Sequence, residues 1–477
     1  ASYGTIAGGN SNSTWSTYGT IGGGQLNGAT GTHTTIGGDS SNKINTNYST
    51  IAGGQNNVTW STYGTIGGGG DNGATGTYST ISGGSGNKTM ANNGTISGGE
   101  SAITWDIYGS IGGGLNNGAT GQYSVIGGGS GNKTRANYGT IAGGQSNVTW
   151  DINATIGGGG SNGATGQFSV IGGGSANKTR ADYTTIAGGR ANSVWSDYGT
   201  VTGGQSNDAW DLHASVGGGY TNGATGQYST IAGGSFNKVR GDNGTVGGGG
   251  GNAVWSDYTT VGGGNSNGAS GSYSVIAGGR QNTTDGAFAT IAGGYQNIAK
   301  SLYTSVLGGV SNVSWNDYGT VGGGYVNGAT GSYAVIAGGR ENNTTAGYAT
   351  IAGGYANTVT GAFGTISGGN ANIATTNAAV PGGIGNSATG NGSFVCGSGV
   401  ALTNNDNGLS HLFVWGDSQG MPVSGVGAGG GANAPRVNSV WFGAGSGAGG
   451  GVLNGGLLVL NYSTSPKSLL VDDPVVG

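Results

Sequence analysis

The sequence predicts an all-β fold, a parallel β-roll or β-solenoid of about 26 coils with fifteen residues each. Three observations support this prediction: a fifteen-residue repeat, 118 glycines in 477 residues, and no proline before Pro381. A fixed period of this kind is typical of solenoids, in which each repeat packs against its neighbours. Proline cannot donate to a backbone ladder, so its absence from the repeat fits a continuous stack of strands.

The repeat begins at Tyr3 with the unit Tyr-Gly-Thr-Ile-Ala-Gly-Gly-Asn-Ser-Asn-Ser-Thr-Trp-Ser-Thr, and the next units begin at Tyr18 and His33. We number positions within the unit from this first aromatic residue. Position 4 is Ile or Val, positions 6 and 7 are usually Gly-Gly, and position 10 is almost always Asn. The spacing holds as far as Phe363, and the next unit begins one residue early at Asn377.

Each position of the unit has a physical interpretation. Aromatic and β-branched residues at positions 1 to 4 favour a short strand whose side chains alternate between two faces. The glycine pair predicts a turn, and positions 11 to 14 predict a second strand. Asn at position 10 tolerates left-handed backbone and caps its own turn, and stacking would align these amides in a ladder. We interpret this column as structural and not as a ligand site.

A period of 45 residues is superimposed on the fifteen. It recurs in tryptophans (Trp15, Trp60, Trp105, Trp150, Trp195), in Asn-Gly-Ala-Thr-Gly coils (from Asn27, Asn72, Asn117, Asn162) and in lysines (Lys43, Lys88, Lys133, Lys178). Either 45 residues form one three-sided turn, or fifteen residues form one turn and the longer period records duplication. The tryptophan spacing slips at Trp210 and Trp315 while the shorter period continues. This slip favours a fifteen-residue turn.

Composition excludes several classes of protein. A glycine-rich chain with no triplet period and only five prolines is not collagen. The abundant β-branched and aromatic residues argue against disorder. A net charge of −4 predicts no basic face for nucleic acid. Apolar runs stay shorter than the roughly 18 residues that span a bilayer, so we predict no membrane-spanning segment here. Because the chain begins within a repeat, we expect a processed or partial chain.

The small interior of such a coil predicts more than one chain. One buried Ile or Val contributes about 1.5–3 kcal/mol, whereas fixing the backbone of each residue costs about 1–2 kcal/mol. Parallel copies packed around an axis would bury the aromatic edge at position 1. Symmetric homo-oligomers are the usual solution, so we predict one here.

Several motifs resemble those of a known family. The Thr-Ile-Gly-Gly-Gly-x-x-Asn-x-Ala-Thr-Gly units resemble the head repeats of YadA-like trimeric autotransporter adhesins. Val-Pro-Gly-Gly at 380–383 and Phe-Val-Trp-Gly-Asp-Ser at 413–418 resemble still more a variant in tail-fibre-like proteins of phages and bacteria. The resemblance covers residues 1 to about 420. It implies a left-handed β-roll, a homotrimeric rod and an extracellular location, on a virion tail or a bacterial cell surface.

The function implied by this resemblance is that of a structural fibre that attaches to a cell surface, either a viral receptor-binding tail fibre or a bacterial trimeric adhesin. The expected partners are copies of the chain itself and a glycan or protein receptor on a host or neighbouring cell. The alternative is a tailspike-like glycan-degrading enzyme, which needs a carboxylate pair. Aspartates recur with the repeat at positions 14 and 15, so we interpret them as turn residues and predict no enzyme.

Catalytic, cofactor and metal sites are not predicted. His33 and His213 replace the aromatic residue at position 1, and His411 has no motif that supports a catalytic triad. His, Cys and carboxylate residues show no metal-ligand spacing.

Partner contacts are predicted at two places. The period breaks from about Gly392, so we predict a repeat shaft over 1–391 and a β-rich domain over 392–477 that serves as a cap or as a receptor-binding tip, with Trp441, Phe442 and Tyr462 as candidate contacts. Trp60, Trp105 and Trp150 are candidates on the shaft. These tryptophans either cover the edge of a neighbouring chain or stack on sugar rings.

Overall fold

The computed structural model describes residues 2–402 and three further short strands, 413–416, 422–423 and 440–442. The chain divides into two compact units, residues 1–251 and residues 252–477. Within the described residues, every regular secondary-structure element is a β-strand. The parallel β-solenoid predicted from the repeat, with about 26 coils, is therefore confirmed.

In the first unit each coil contributes two strands of two residues. The first strand occupies positions 3 and 4, from Thr5–Ile6 to Thr245–Val246 in steps of fifteen residues. The second strand occupies positions 11 and 12, from Ser13–Thr14 to Lys238–Val239 in the same steps. The two sets of strands form two parallel sheets along the stack of coils.

The second unit repeats this arrangement. Its strands at positions 11 and 12 run from Ala253–Val254 to Ile373–Ala374 in steps of fifteen residues. Its strands at positions 3 and 4 run from Thr260–Val261 to Thr365–Ile366 in the same steps. The remaining described strands are Ala379–Val380, Ser387–Ala388, Phe394–Gly397, Ala401–Leu402, Phe413–Gly416, Pro422–Val423 and Val440–Phe442.

Strand pairing fixes the length of one turn. Thr140 pairs with Thr155 and Ile141 with Ile156, in parallel and fifteen residues apart. The same register recurs through both units, so fifteen residues form one turn and the 45-residue turn is excluded. The pairing of Thr365 with Ala379 confirms the predicted loss of one residue in the last regular coils.

The core is a thin row of aliphatic side chains. Position 4 is fully buried from Ile21 to Ile366, as at Ile141 and Ile156, whereas position 3 is exposed or half-buried. Position 12 supplies the opposite wall, mostly with Ala, Thr or Val, as at Ala164 and Val194. The predicted alternation of faces is therefore confirmed.

The asparagines at position 10 form the predicted ladder. The Nδ2 group of Asn147 donates to the carbonyl of Gly143 at 3.0 Å and to the carbonyl of Gly159, one coil further, at 2.9 Å. Its Oδ1 accepts from the backbone N–H of Asn162 at 3.0 Å. Each buried amide thus joins two successive coils through three hydrogen bonds.

The asparagines of position 10 do not adopt the left-handed region that this residue type tolerates. Positive φ angles lie instead at position 9 and at the aromatic position 1, as in Ser146 (φ 56°) and Tyr138 (φ 58°). At both positions the backbone N–H turns towards the preceding coil, where Ser146 donates to Ser130 and Tyr138 to Gln122. The strand residues, such as Thr140, instead donate their N–H groups to the following coil. Positions 1 and 9 therefore hydrogen-bond in the opposite direction along the stack, and the asparagine at position 10 does not need a positive φ angle.

The predicted C-terminal domain lies largely outside the described residues. Parallel pairing continues past residue 392, because Phe394 pairs with Ala379 and Phe413 pairs with Phe394. The backbone of Trp441 and Phe442 belongs to the last described strand, while Tyr462 lies outside the described residues. The boundary at 391 and the three contact residues stay predictions.

Candidate functional site

The outer face of the second sheet carries the side chains of positions 11 and 13, because position 12 between them points into the core. Trp60, Trp105 and Trp150 occupy position 13 and are 62%, 54% and 48% exposed. The structure does not bring these three together. Each lies three coils from the next, which is about 14 Å at 4.7–4.9 Å per strand.

Cationic side chains that the sequence analysis missed lie against this tryptophan column. The Arg135 Cζ atom is 3.9 Å from the centre of the Trp150 ring, and the Arg180 Cζ atom is 3.5 Å from that of Trp195. Such stacking of a guanidinium on an indole is a favourable cation–π contact. In the sequence, this contact corresponds to a cation fifteen residues before a tryptophan. That spacing predicts a contact only when the length of one turn is known to be fifteen residues.

Two surface notches open beside these tryptophans in the first unit. The first has a volume of about 450 Å³, and six of its lining residues are Val148, Trp150, Gly163, Thr165, Lys178 and Arg180. The second has a volume of about 250 Å³, with Asp208, Trp210, Gly223, Thr225, Lys238 and Arg240 in its lining. Both have the same plan: a tryptophan coil, a glycine-threonine coil as the floor, and a lysine-arginine coil.

The glycine on each floor has no structural requirement to be glycine. A Cβ atom on Gly163 or Gly223 would meet no atom within 4 Å, and neither residue has positive φ. By contrast, a Cβ on Gly159, at position 7 of the same coil as Gly163, would overlap the carbonyl oxygen of Gly174. Glycine within a strand costs about 0.5–1 kcal/mol relative to alanine. The floor glycines therefore keep space open at the expense of stability.

One acidic group lies in the second notch. Burial raises the pKa of the Asp208 carboxyl, while hydrogen bonds with Ser193 and Trp210 and the charge of Arg180 act in the opposite direction. The first notch has no acidic residue in its lining, so it is the more basic of the two.

The aromatic residues of position 1 form a separate exposed column, which we call the ring column. Tyr108, Tyr123 and Tyr138 stack face to face with centroid distances of 4.8 and 5.1 Å. His33 stacks between Tyr18 and Tyr48 at 4.8 and 5.2 Å. The first histidine of the chain thus replaces an aromatic ring, as predicted.

The repeated aspartates engage the backbone. Asp106, Asp151 and Asp211 each accept a hydrogen bond from the N–H of the following residue, and Asp182 accepts one from the N–H of Gln167 in the preceding coil. They are turn residues, as predicted. Across the part of the chain that the structure describes, no group of three or more His, Cys, Asp or Glu could hold a metal ion. The same residues include no helix suited to crossing a membrane.

Comparison with family models and with curated proteins gives no match. No family model matches the sequence, and no curated protein matches it. The resemblance to YadA-like head repeats and the left-handed sense that it implies therefore stay predictions.

Proposed function

We propose that this chain is a structural extracellular fibre that attaches to a cell surface, as a viral tail fibre or a bacterial trimeric adhesin does. The observation that carries the proposal is the tryptophan column. Large indole rings lie exposed repeatedly along one face of a backbone that the asparagine ladder holds in place. Aromatic side chains dominate binding hot spots, and their repetition along one sheet favours attachment to a surface with many equivalent sites.

The proposed fibre is a homotrimer whose chains meet along the ring column. Tyr108, Tyr123 and Tyr138 remain 48%, 42% and 54% exposed. A continuous exposed aromatic surface marks an interaction site in soluble proteins. Parallel copies would cover it without disturbing the coils, and residues 392–477 would then cap the assembly or form its tip.

The rival proposal of a glycan-degrading enzyme has less support. A glycosidase of the usual kind needs one carboxylate free to donate a proton and a second free to attack or to activate water. The repeated aspartates instead hold turns through backbone hydrogen bonds. The proposed fibre binds its target and leaves it intact.

Assembly is tested by light scattering on the purified chain. The expected mass is three times 45.8 kDa, and a stable folded monomer would contradict the trimer. Asn occupies position 1 at Asn93 and Asn153 with positive φ, so Tyr→Asn at 108, 123 and 138 preserves the coil. This triple variant is expected to dissociate at higher protein concentration than the native chain.

Attachment is tested with the fluorescently labelled full chain on capsulated and uncapsulated bacteria and on cultured animal cells. Saturable binding that unlabelled protein displaces supports the proposal, and its absence from every cell type contradicts it. Release of reducing sugar from capsular or lipopolysaccharide glycans would favour the enzyme instead.

A further inference from the structure

We propose that the notches of the first unit bind an acidic glycan, with one carboxylate-bearing sugar ring in each notch. This inference rests on the proposed attachment function and names its target class. Each described notch combines an indole face, a floor with an open glycine position, and a pair of cations on the far wall.

The width of the notch suits one ring. The Trp150 coil and the Arg180 coil are separated by the Gly163 coil, so they lie two strand spacings apart, about 9.6 Å. A ring placed midway is about 4.8 Å from each wall, which is a normal stacking distance between ring centres. Thr165 lies below this space at position 13, and Gly163 lies beside it at position 11, so a side chain at position 163 would narrow the notch that glycine leaves open.

Both walls are held in place before any ligand binds. Arg135 covers the face of Trp150 that points away from the notch, at 3.9 Å. Arg180, on the far wall, is itself stacked on Trp195 at 3.5 Å. Side chains fixed in this way lose little conformational entropy when they bind.

The cations determine the class of sugar. A neutral sugar needs the indole face alone, whereas Lys178 and Arg180 place two positive charges at the other wall. Arginine forms a bidentate pair with a planar carboxylate. The chain has 14 Lys and Arg residues, and eight of them occupy positions 11 and 13 of the first unit, each two coils after a tryptophan: Lys43, Lys88, Lys133, Arg135, Lys178, Arg180, Lys238 and Arg240.

The arrangement of tryptophan, glycine and lysine in successive coils is absent at Trp195 and after Trp255 and Trp315. At the slip of the longer period, Trp195 and Trp210 stack directly on each other at 4.4 Å, so no floor coil separates them. In the second unit the residues two coils after Trp255 and Trp315 are Thr283 and Asn343 at position 11. The lysines of position 11 are thus confined to the first unit, which is the expected binding region.

Repetition makes the expected ligand a polymer. The Trp–Gly–Lys pattern occurs five times in the first unit, with Trp15, Trp60, Trp105, Trp150 and Trp210. Sites on one rigid face bind successive segments of one chain, and the linked sites raise the apparent affinity well above that of a single site. A folded copy of this protein is the competing occupant, and the experiment separates the two.

The test uses the full chain and four immobilised polymers: polygalacturonate, hyaluronan, polysialic acid and neutral dextran, with duplex DNA as a polyanion control. We expect binding to at least one acidic glycan, no binding to dextran, and weaker binding at high salt. Absence of binding to all three acidic glycans would overturn the proposal. Equally tight binding to DNA would also overturn it, because charge alone would then suffice.

The decisive variant fills three floors, with Gly118→Val, Gly163→Val and Gly223→Val. Valine occupies this strand position at Val148, so the coils are expected to fold normally. The matched control is Gly70→Gln, Ser130→Gln and Gly160→Gln, which adds bulk at position 8 outside the described notches. The filled variant should bind the acidic glycan about tenfold more weakly or worse, and the control should bind like the native chain.

Three outcomes separate the inference from the function on which it rests. If the filled variant binds the glycan as the native chain does, the inference fails. If the native chain attaches to cells but binds no acidic glycan, the inference fails while the attachment function stands. If light scattering shows that filling the floors changes the oligomer, the notches hold a second copy, and the glycan proposal is overturned.

Discussion

The side-chain oxygen of Asn132 accepts a hydrogen bond from the backbone N–H of Asn147, one coil further along, at 3.0 Å. The same bond joins Asn147 to Asn162. Each asparagine is thus both the acceptor for the next coil and the donor to two carbonyls. This buried chain of amides ties the second sheet to the glycine turn throughout the regular coils.

Replacement of one ladder residue should weaken the fold. Asn147→Ala removes three buried hydrogen bonds and leaves the backbone N–H of Asn162 without its acceptor. Buried polar groups without partners cost about 1–3 kcal/mol each, so we expect a loss of about 2–4 kcal/mol. Urea unfolding followed by circular dichroism measures it, and an unchanged midpoint would contradict the structural role of the ladder.

The reverse substitution is available within the chain. Ala102 is the one residue from Asn12 to Asn372 that interrupts the asparagine column. Its backbone N–H donates to the Asn87 Oδ1 atom, but its methyl side chain offers no acceptor to the backbone N–H of Asn117. Ala102→Asn should restore the ladder and stabilise the chain by about 1–2 kcal/mol. A higher thermal midpoint is expected, and a lower one would show that the site cannot accept the amide.

Adjacent glycines should respond differently to alanine. Gly144 has φ +91°, and a Cβ there would overlap the carbonyl oxygen of Gly159. Its neighbour Gly143 has no atom within 4 Å of a Cβ. Gly144→Ala should therefore destabilise by more than about 2 kcal/mol, while Gly143→Ala should stay within about 0.5 kcal/mol. Equal thermal midpoints for the two variants would refute this distinction.

A buried hydroxyl offers a stabilising change. The Thr149 Oγ1 atom is buried and has no hydrogen-bond partner among the described protein atoms. Valine has the same shape and occupies this position at Val194 and Val239. Thr149→Val should stabilise by about 1 kcal/mol. Thr140→Val, at the outward position 3 where Val125 and Val170 occur, should change the unfolding midpoint little and serves as the control.

Asp208 should make stability depend on pH. Because burial raises its pKa in the folded chain, the folded state binds the proton more tightly than the unfolded state. The contribution of Asp208 to stability therefore falls as the pH rises from its ordinary pKa of 3.8 through the raised value. Asp208→Asn should unfold at a higher temperature than the native chain at about pH 7, and this difference should disappear below about pH 3. A difference that is constant with pH would contradict the linkage.

The repeat by itself determined most of the fold. In a solenoid each coil contacts the coils before and after it, so one local pattern specifies every contact of that kind. Ile at position 4, the outward Thr at position 3 and the asparagine ladder could all be assigned from fifteen residues. The slip at Trp210 also favoured the fifteen-residue turn, which the strand pairing then confirmed.

The direction in which individual backbone N–H groups point could not be predicted from the repeat. Asn is the residue type that best accepts the left-handed region, yet Ser146 and Tyr138 adopt it while Asn147 does not. The choice is made by the neighbouring coils, because their carbonyl groups decide where each N–H must point. A residue's own preference is weaker than the hydrogen bond that it gains by turning towards the coil behind it.

The candidate site was likewise a product of the tertiary structure. The sequence marked Trp60, Trp105 and Trp150 as isolated aromatic candidates, and it marked the lysines only as a second period. Stacking brings Trp150, Gly163 and Arg180 to three successive levels of one face, although thirty residues separate the first from the last. Side chains fifteen residues apart become neighbours because the turn has that length, and the notch stays open at position 11 because Gly163 has no side chain there.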